Sequence, residues 1–321
     1  MMDVTETLPI ARYRFIARSE RDLVLPDYAG SLLRGVFGAA LRRLVCVTGG
    51  QRCSSCTLYR RCLYPAIFET PPRPTSLEQQ FSQVPNPYIV EPPPFGTRVA
   101  LKGQHLHFHM VLAGEPVIAQ LPLLISAWQL AFRQGLGPQR VRLQLEQVQW
   151  CAQDQTVHDV WTADTNRVVA HRPSLKITTP PPDGATVRLN VTTPLRLQHQ
   201  GKPLGPDALN VRTLLLAAMR RASLMLELHV GIRLSTGAQA LLTLAEHMQD
   251  QREALRWCDW TRYSSRQRQE MVLGGVVGLW TLHAPTWSHA WPWLWLGQWL
   301  HLGKNATMGM GQYTVEVVPC F

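Results

Sequence analysis

Apolar residues recur along this chain with two periods, and the switches between them lay out the elements. Tyr13–Arg18 alternates apolar and polar positions as a strand does. From Ala29 to Val45, the residues Leu33, Val36, Phe37, Ala40, Leu41 and Leu44 follow the i, i+3, i+4 spacing of an amphipathic helix. The opposite face of that helix carries Arg34, Gly35, Gly38, Ala39, Arg42 and Arg43. Tyr88–Glu91 and His105–Val111 return to strand-like patterns, Leu121–Gly135 reads as a second helix, and Val141–Trp150 as another strand. The second half repeats the order. Val187–Thr193 is a strand, and Leu209–Val230 is a long helix with the stripe Leu214, Leu215, Ala218, Leu224 and Leu228. A further helix is expected in the polar stretch up to Glu253. Trp257–Tyr263 and Met271–Leu282 form two strands joined by the basic turn Ser264-Ser265-Arg266-Gln267-Arg268. Trp291–Leu302 is an apolar helix and Tyr313–Val318 the last strand.

Each half therefore reads β-α-β-β-α-β, and the predicted class is α+β: two tandem ferredoxin-like (RRM-like) domains with a metal-binding insertion of four cysteines. The first domain spans residues 1–179 and holds that Cys-rich insertion (46–62) and a proline-rich, extended segment (65–94). The second spans residues 185–321, after the linker Pro180-Pro181-Pro182-Asp183-Gly184. A chain of 321 residues with 45% apolar content is long enough for two such cores.

Charge narrows the partners. The chain has 32 Lys+Arg against 22 Asp+Glu, a net charge of +10 that favours polyanions. Lysine occurs only at Lys102, Lys176, Lys202 and Lys304, so arginine, which grips phosphate bidentately and stacks on bases, supplies nearly all of the excess. No apolar run approaches the roughly 20 residues that span a bilayer, and the N-terminus lacks the build of a signal peptide. The expectation is a cytoplasmic protein with no membrane partner, in which thiols stay reduced. Cys46, Cys53, Cys56 and Cys62 then form C-x6-C-x2-C-x5-C inside an arginine-containing loop, the spacing of a closed four-thiolate site for structural zinc. Free thiols and an iron–sulfur cluster are the alternatives. Cys151, Cys258 and Cys320 read as packing residues.

Near the C-terminus, Gly303-Lys304-Asn305-Ala306-Thr307-Met308-Gly309-Met310-Gly311-Gln312-Tyr313 places glycines where backbone N–H groups could turn toward phosphate oxygens. An ordinary loop between helix and strand is the plain alternative. This segment resembles the C-terminal glycine-rich loop of CRISPR RNA-binding proteins. The whole chain, in order, is similar to the CRISPR repeat-processing endoribonucleases of the RAMP superfamily. Two further patterns carry the resemblance. One is Leu33-Arg34-Gly35-Val36-Phe37-Gly38-Ala39-Ala40-Leu41-Arg42, followed by the cysteine cluster and Cys62-Leu63-Tyr64-Pro65-Ala66-Ile67-Phe68-Glu69. The other is Trp260-Thr261-Arg262-Tyr263-Ser264-Ser265-Arg266-Gln267, leading into Gly274-Gly275-Val276-Val277-Gly278.

The resemblance implies binding of a CRISPR repeat within precursor RNA and one metal-independent cut by the RNA 2′-hydroxyl. Products would carry a 2′,3′-cyclic phosphate and a 5′-hydroxyl, with the crRNA or further CRISPR effector subunits as partners and no catalytic metal. It also exposes a departure. Related sequences commonly read Arg-Gly-x-x-Gly-His on the first helix, and this chain has Ala39 where that histidine would stand; no histidine precedes His105. Three readings stay open: an inactivated enzyme, one that cuts with arginine and tyrosine, or a binding-only protein.

The candidate catalytic set is Ala39, as the histidine position, with Tyr28 and Arg42. Arg34, Gly38 and Arg42 stack at i, i+4, i+8, and Gly35 and Gly38 each cost the helix about 1 kcal/mol relative to alanine, as if another chain must lie close. Candidate RNA-binding residues are Arg34, Arg43, Arg262, Arg266, Arg268, Lys304, Gly309 and Gly311; solvated arginines are the alternative for the charged ones. His105, His107 and His109 share one strand face, read as solvated or RNA-facing in preference to metal-binding. Trp280, Trp287, Trp291, Trp293, Trp295 and Trp299 could stack on bases, although their spacing suits a core.

Overall fold

A computed structural model of the chain describes residues 7–50, 52–73, 84–97, 99–233, 237–252, 254–264 and 269–318, except for the side chains of 262–264 and 269–271. The fold is mixed α+β, with antiparallel sheets in two compact units. One unit contains Leu8–Leu175 together with Met225–Gly231; the other contains Lys176–Leu224 and the chain from Ile232 onward, with Thr7.

The first unit is built on strands β1 (Ile10–Ser19), β2 (Tyr88–Glu91), β3 (His105–Ala113), β4 (Leu143–Cys151) and β5 (Val157–Thr162), with helices α1 (Gly30–Val45), α2 (Leu63–Phe68) and α3 (Leu121–Gln134). The sheet order is β2-β3-β1-β4-β5, every pairing antiparallel. Without β5 this is the ferredoxin-like order. The edge strand β5 was not anticipated, because its buried residues Val160 and Trp161 are consecutive and break the alternation. Strand alternation sends Tyr13, Phe15 and Ala17 to the helix-covered face, where they join Leu33, Phe37, Leu41, Phe108, Trp128 and Phe132 in one core. Its centre is aromatic. Trp128 packs on Phe108 with ring centroids 4.4 Å apart and stacks on Phe37 at 5.2 Å. Such contacts add to the area that each ring buries.

In the second unit, β6 (Thr186–Leu195), α4 (Val211–Met225), α5 (Ala238–His247), β7 (Gln249–Gln251), β8 (Leu255–Ser264), β9 (Gln269–His283), α6 (Trp291–Leu300) and β10 (Tyr313–Val318) follow in order. The long strand β9 lies between β6 on one side and β7 and β8, end to end, on the other; β10 pairs with the far edge of β6. This is the same ferredoxin-like order, so both halves share the fold. The expected helix 209–230 is α-helical over Val211–Met225 and continues as a π-turn over Leu226–Val230, closed by Gly231 at φ 83°. Five of the tryptophans considered for base stacking, Trp280, Trp287, Trp291, Trp293 and Trp295, are buried; Trp299 is half-buried. Two of these indole N–H groups have partners inside the unit: Trp280 donates to Asp250 at 2.8 Å and Trp287 to the Ala185 carbonyl at 3.0 Å. Among the described residues, no helix is long and apolar enough to cross a membrane.

Candidate nucleic-acid interface

The polar side of α1 divides into two lanes. Arg34, Gly38 and Arg42 turn toward α2. The Arg34 guanidinium lies 4.3 Å from the Phe68 ring centroid, and that of Arg42 lies 5.8 Å from Tyr64. Gly38 is buried, and a Cβ there would run into the Phe68 ring. Gly38 is therefore a packing glycine, which corrects its assignment to an exposed face. Arg42 also donates to the Gly50 carbonyl in the cysteine loop. The second lane, Gly35, Ala39 and Arg43 at i, i+4, i+8, is exposed, and a Cβ at Gly35 meets open space. Leu44, counted in the apolar stripe, is exposed too. Tyr28 is only 2% exposed, with its ring 6.2 Å from Phe95. Its hydroxyl belongs to a core residue rather than to the open lane, so the expected grouping of Tyr28, Ala39 and Arg42 does not form one surface.

After α1 the chain enters the cysteine loop. Cys46 caps the helix through its N–H to Arg42 O at 2.8 Å, Cys56 closes a tight turn on Cys53 O at 2.9 Å, and Cys62 precedes α2. All four cysteines line one pocket with Thr48, Gly50, Tyr64 and Pro65. The Thr48 hydroxyl stands 3.9 Å from Cys46 Sγ and 3.7 Å from Cys56 Sγ. The backbone of Gly49 and the Thr48 hydroxyl hold the Cys46 thiol below its ordinary pKa, while burial pushes Cys53 up. Among the described residues, no three His, Cys, Asp or Glu side chains are gathered closely enough to hold a metal as they stand. The donor set suits zinc, and its four members face one pocket, but the sulfurs must draw inward to ligate.

In the second unit, the glycine-rich loop serves its own fold. Lys304 N–H donates to Arg196 O at 3.0 Å, Gly309 N–H to Ala306 O at 2.8 Å, Gly311 N–H to Pro194 O at 3.1 Å and Gln312 N–H to the Thr193 hydroxyl at 2.8 Å. Gly309 and Gly311 are buried. Gly311 takes φ 72°, and a Cβ there would meet the Leu302 carbonyl. Those amides are spent inside the protein, which corrects the picture of Gly309 and Gly311 presenting them to phosphate. Lys304 alone among the loop's candidates is exposed. Arg262 lies on β8 with its side chain outside the described residues; Arg266 and Arg268, like Cys320, lie outside them altogether.

A polar surface that sequence reasoning read only in part occupies the first unit's sheet, on the face away from the core. Arg12, Arg14 and Arg18 alternate with the core residues of β1, and register sets Arg14 opposite His109 and Gln149, and Arg18 opposite His105 and Gln144. Arg12 pairs with buried Glu91 at 2.9 Å, and Arg18 with Glu146 at 2.5 Å. His105 reaches the same Glu146 at 2.8 Å, and Arg14 lies 3.2 Å from His107 Nδ1. Burial, with Arg14 and His105 nearby, pushes His107 below the ordinary histidine value; burial does the same for His109, against the pull of Glu91. The signal that could have found this face was the arginine on either side of Tyr13, followed by Arg18 in the same alternation.

Residues 189–313 match the family model of the CRISPR-associated endoribonuclease Cas6, and residues 8–173 match a model described as an N-terminal domain. Residues 189–313 therefore form a Cas6-family endoribonuclease domain. A Cas6 product complex has 15% sequence identity and a TM-score of 0.57, with 96% of this chain and 99% of that one covered. A partial Cas6-RT-Cas1–Cas2 complex has 13% identity and a TM-score of 0.56, covering 98% of this chain but 47% of the larger one. For the fuller Cas6-RT-Cas1–Cas2 complex the share of that chain is 30%, so this chain spans about half or less of those two Cas6-containing proteins. At such identities the likeness is one of fold. Comparison with curated proteins finds no match.

Proposed function

We propose that this protein binds CRISPR repeat RNA in the cytoplasm and belongs to the reaction that cuts it, without a catalytic metal, into guide RNAs. The match of residues 189–313 to the Cas6 endoribonuclease family carries this reading. The relative named as a product complex supports it. In the reaction, the 2′-hydroxyl oxygen attacks the adjacent phosphorus and the bond to the 5′-oxygen breaks, leaving a 2′,3′-cyclic phosphate and a 5′-hydroxyl. This needs in-line placement, a base, an acid and positive charge on the phosphorane. The open lane of α1 offers Arg43 for charge and an exposed vacancy at Ala39, and Gly35 lets a backbone approach.

A second reading, a binding-only subunit of a CRISPR effector complex, is favoured by one observation. The exposed lane Gly35-Ala39-Arg43 holds no group that titrates near neutral pH, and Tyr28 is buried. The two readings part on one experiment. Single-turnover cleavage of an end-labelled repeat in EDTA is compared between the native protein and Ala39→His. A histidine there, one turn before exposed Arg43, should raise the rate about 10²–10⁴-fold with little change in affinity, and the product should carry a cyclic phosphate. No cleavage by either protein, with tight binding retained, would establish the binding-only subunit instead.

A further inference from the structure

The cysteine loop connects the end of α1 to the start of α2. Cys46 sits at the C-terminal cap of α1, and Cys62 at the N-terminal cap of α2. Between them the Cys53–Cys56 turn is closed by a backbone hydrogen bond of 2.9 Å. The remainder of the loop offers little of a core: Val47 is 83% exposed, and Leu58 and Leu63 are exposed as well. Helix α2 has six residues, too few for a helix to persist on its own propensity.

Yet α2 carries the side chains that cover α1. Phe68 fills the space left by Gly38, lies under Arg34 and stacks on Tyr88 with centroids 5.6 Å apart; Tyr64 stacks on Phe68 at 5.4 Å. Something must fix the start of α2 for that packing to persist. All four cysteines line one pocket beside the two caps, although their sulfurs are not yet gathered to ligating distance. Charge points the same way. A zinc ion with four thiolates has a net charge of −2, and residues 42–69 contain Arg42, Arg43, Arg52, Arg60 and Arg61 against the single acidic residue Glu69.

We propose that Cys46, Cys53, Cys56 and Cys62 bind one zinc ion tetrahedrally, and that this ion holds α2, and with it Phe68, against Gly38 and Arg34 of α1. The bond from Cys46 anchors the end of one helix and the bond from Cys62 the start of the next, while the Cys53–Cys56 turn supplies the remaining two ligands. Arg42, bonded to the Gly50 carbonyl, keeps positive charge beside the thiolates. The site is structural and independent of whether the protein cleaves RNA.

The test uses the full chain purified without chelator under reducing conditions. Metal analysis should give about one zinc per chain, and cobalt(II) in its place should show thiolate charge-transfer and tetrahedral bands. Stripping the metal should free four thiols to titration and speed hydrogen exchange across residues 63–68, leaving exchange in 105–113 unchanged. Cys56→Ser should lose the metal, and if that variant fails to fold, the stripped native protein gives the same comparison. Four freely titratable thiols in fresh protein, or the visible absorption of an iron–sulfur cluster, would overturn the assignment of zinc. Bound zinc whose removal leaves exchange at 63–68 unaltered would overturn its role in seating α2.

Discussion

Gly35 and Gly38 stand three positions apart on one helix and have opposite reasons for lacking a side chain. At Gly35 nothing lies within reach of a Cβ, so alanine should only supply helix propensity; at Gly38 the Phe68 ring occupies the space. Gly35→Ala should stabilise the protein by about 0.5–1 kcal/mol. Gly38→Ala should destabilise it by about 1–3 kcal/mol through overpacking, and much of that loss should vanish beside Phe68→Leu. Urea unfolding of the three variants decides the point; equal effects at both glycines would mean that α2 does not pack as described. Neither role was visible in the sequence, where both glycines fell on the polar side of the same helix. The periodicity of α1 names a face, and the residue that covers it lies 30 positions later in the chain.

At the scale of an element, the sheet face of β1, β3 and β4 is a titrating surface. His107 and His109 have pKa values below the ordinary histidine value of about 6.5, so the unfolded chain takes up protons there before the folded one does. Their neutral forms contribute stability that is present above about pH 6.5 and is lost as pH falls through their lowered values. Glu146, held down chiefly by its hydrogen bond from Arg18, acts in the same direction in a more acid range. The urea midpoint should therefore drop between about pH 7.5 and pH 5, and the drop should shrink in a His107→Gln, His109→Gln double variant. A drop of unchanged size would place the responsible groups elsewhere. The alternation that put the three histidines on one face was legible in the sequence. Their arginine and carboxylate neighbours come from strands paired across as many as 128 residues, and those pairings only the folded sheet reveals.

For the molecule as a whole, a net charge of +10 predicts RNA binding that weakens steeply with salt. The two lanes of α1 sharpen this expectation. Removing exposed Arg43 should flatten the salt slope by about one unit, whereas Arg34→Met should lower stability and leave the slope nearly unchanged, because Arg34 is committed to Phe68. Fluorescence anisotropy across a salt series would show this, and a slope lost with Arg34 but not with Arg43 would reverse the assignment of the lanes. The sequence by itself determined the paired β-α-β-β-α-β halves and the spacing of the four cysteines, because periodicity and short spacings are properties of neighbouring residues. It missed the short elements β5, β7 and α2, the last of which replaces the start of the segment expected to be extended. The tertiary structure decided what those residues face. It turned Arg34 and Arg42 toward α2, put Tyr28 in the core and directed the amides around Gly309 and Gly311 to the protein's own carbonyl and hydroxyl oxygens. A glycine, an arginine or a loop amide can serve a ligand or the fold equally well, and only its partners, brought close by distant pairing, settle which.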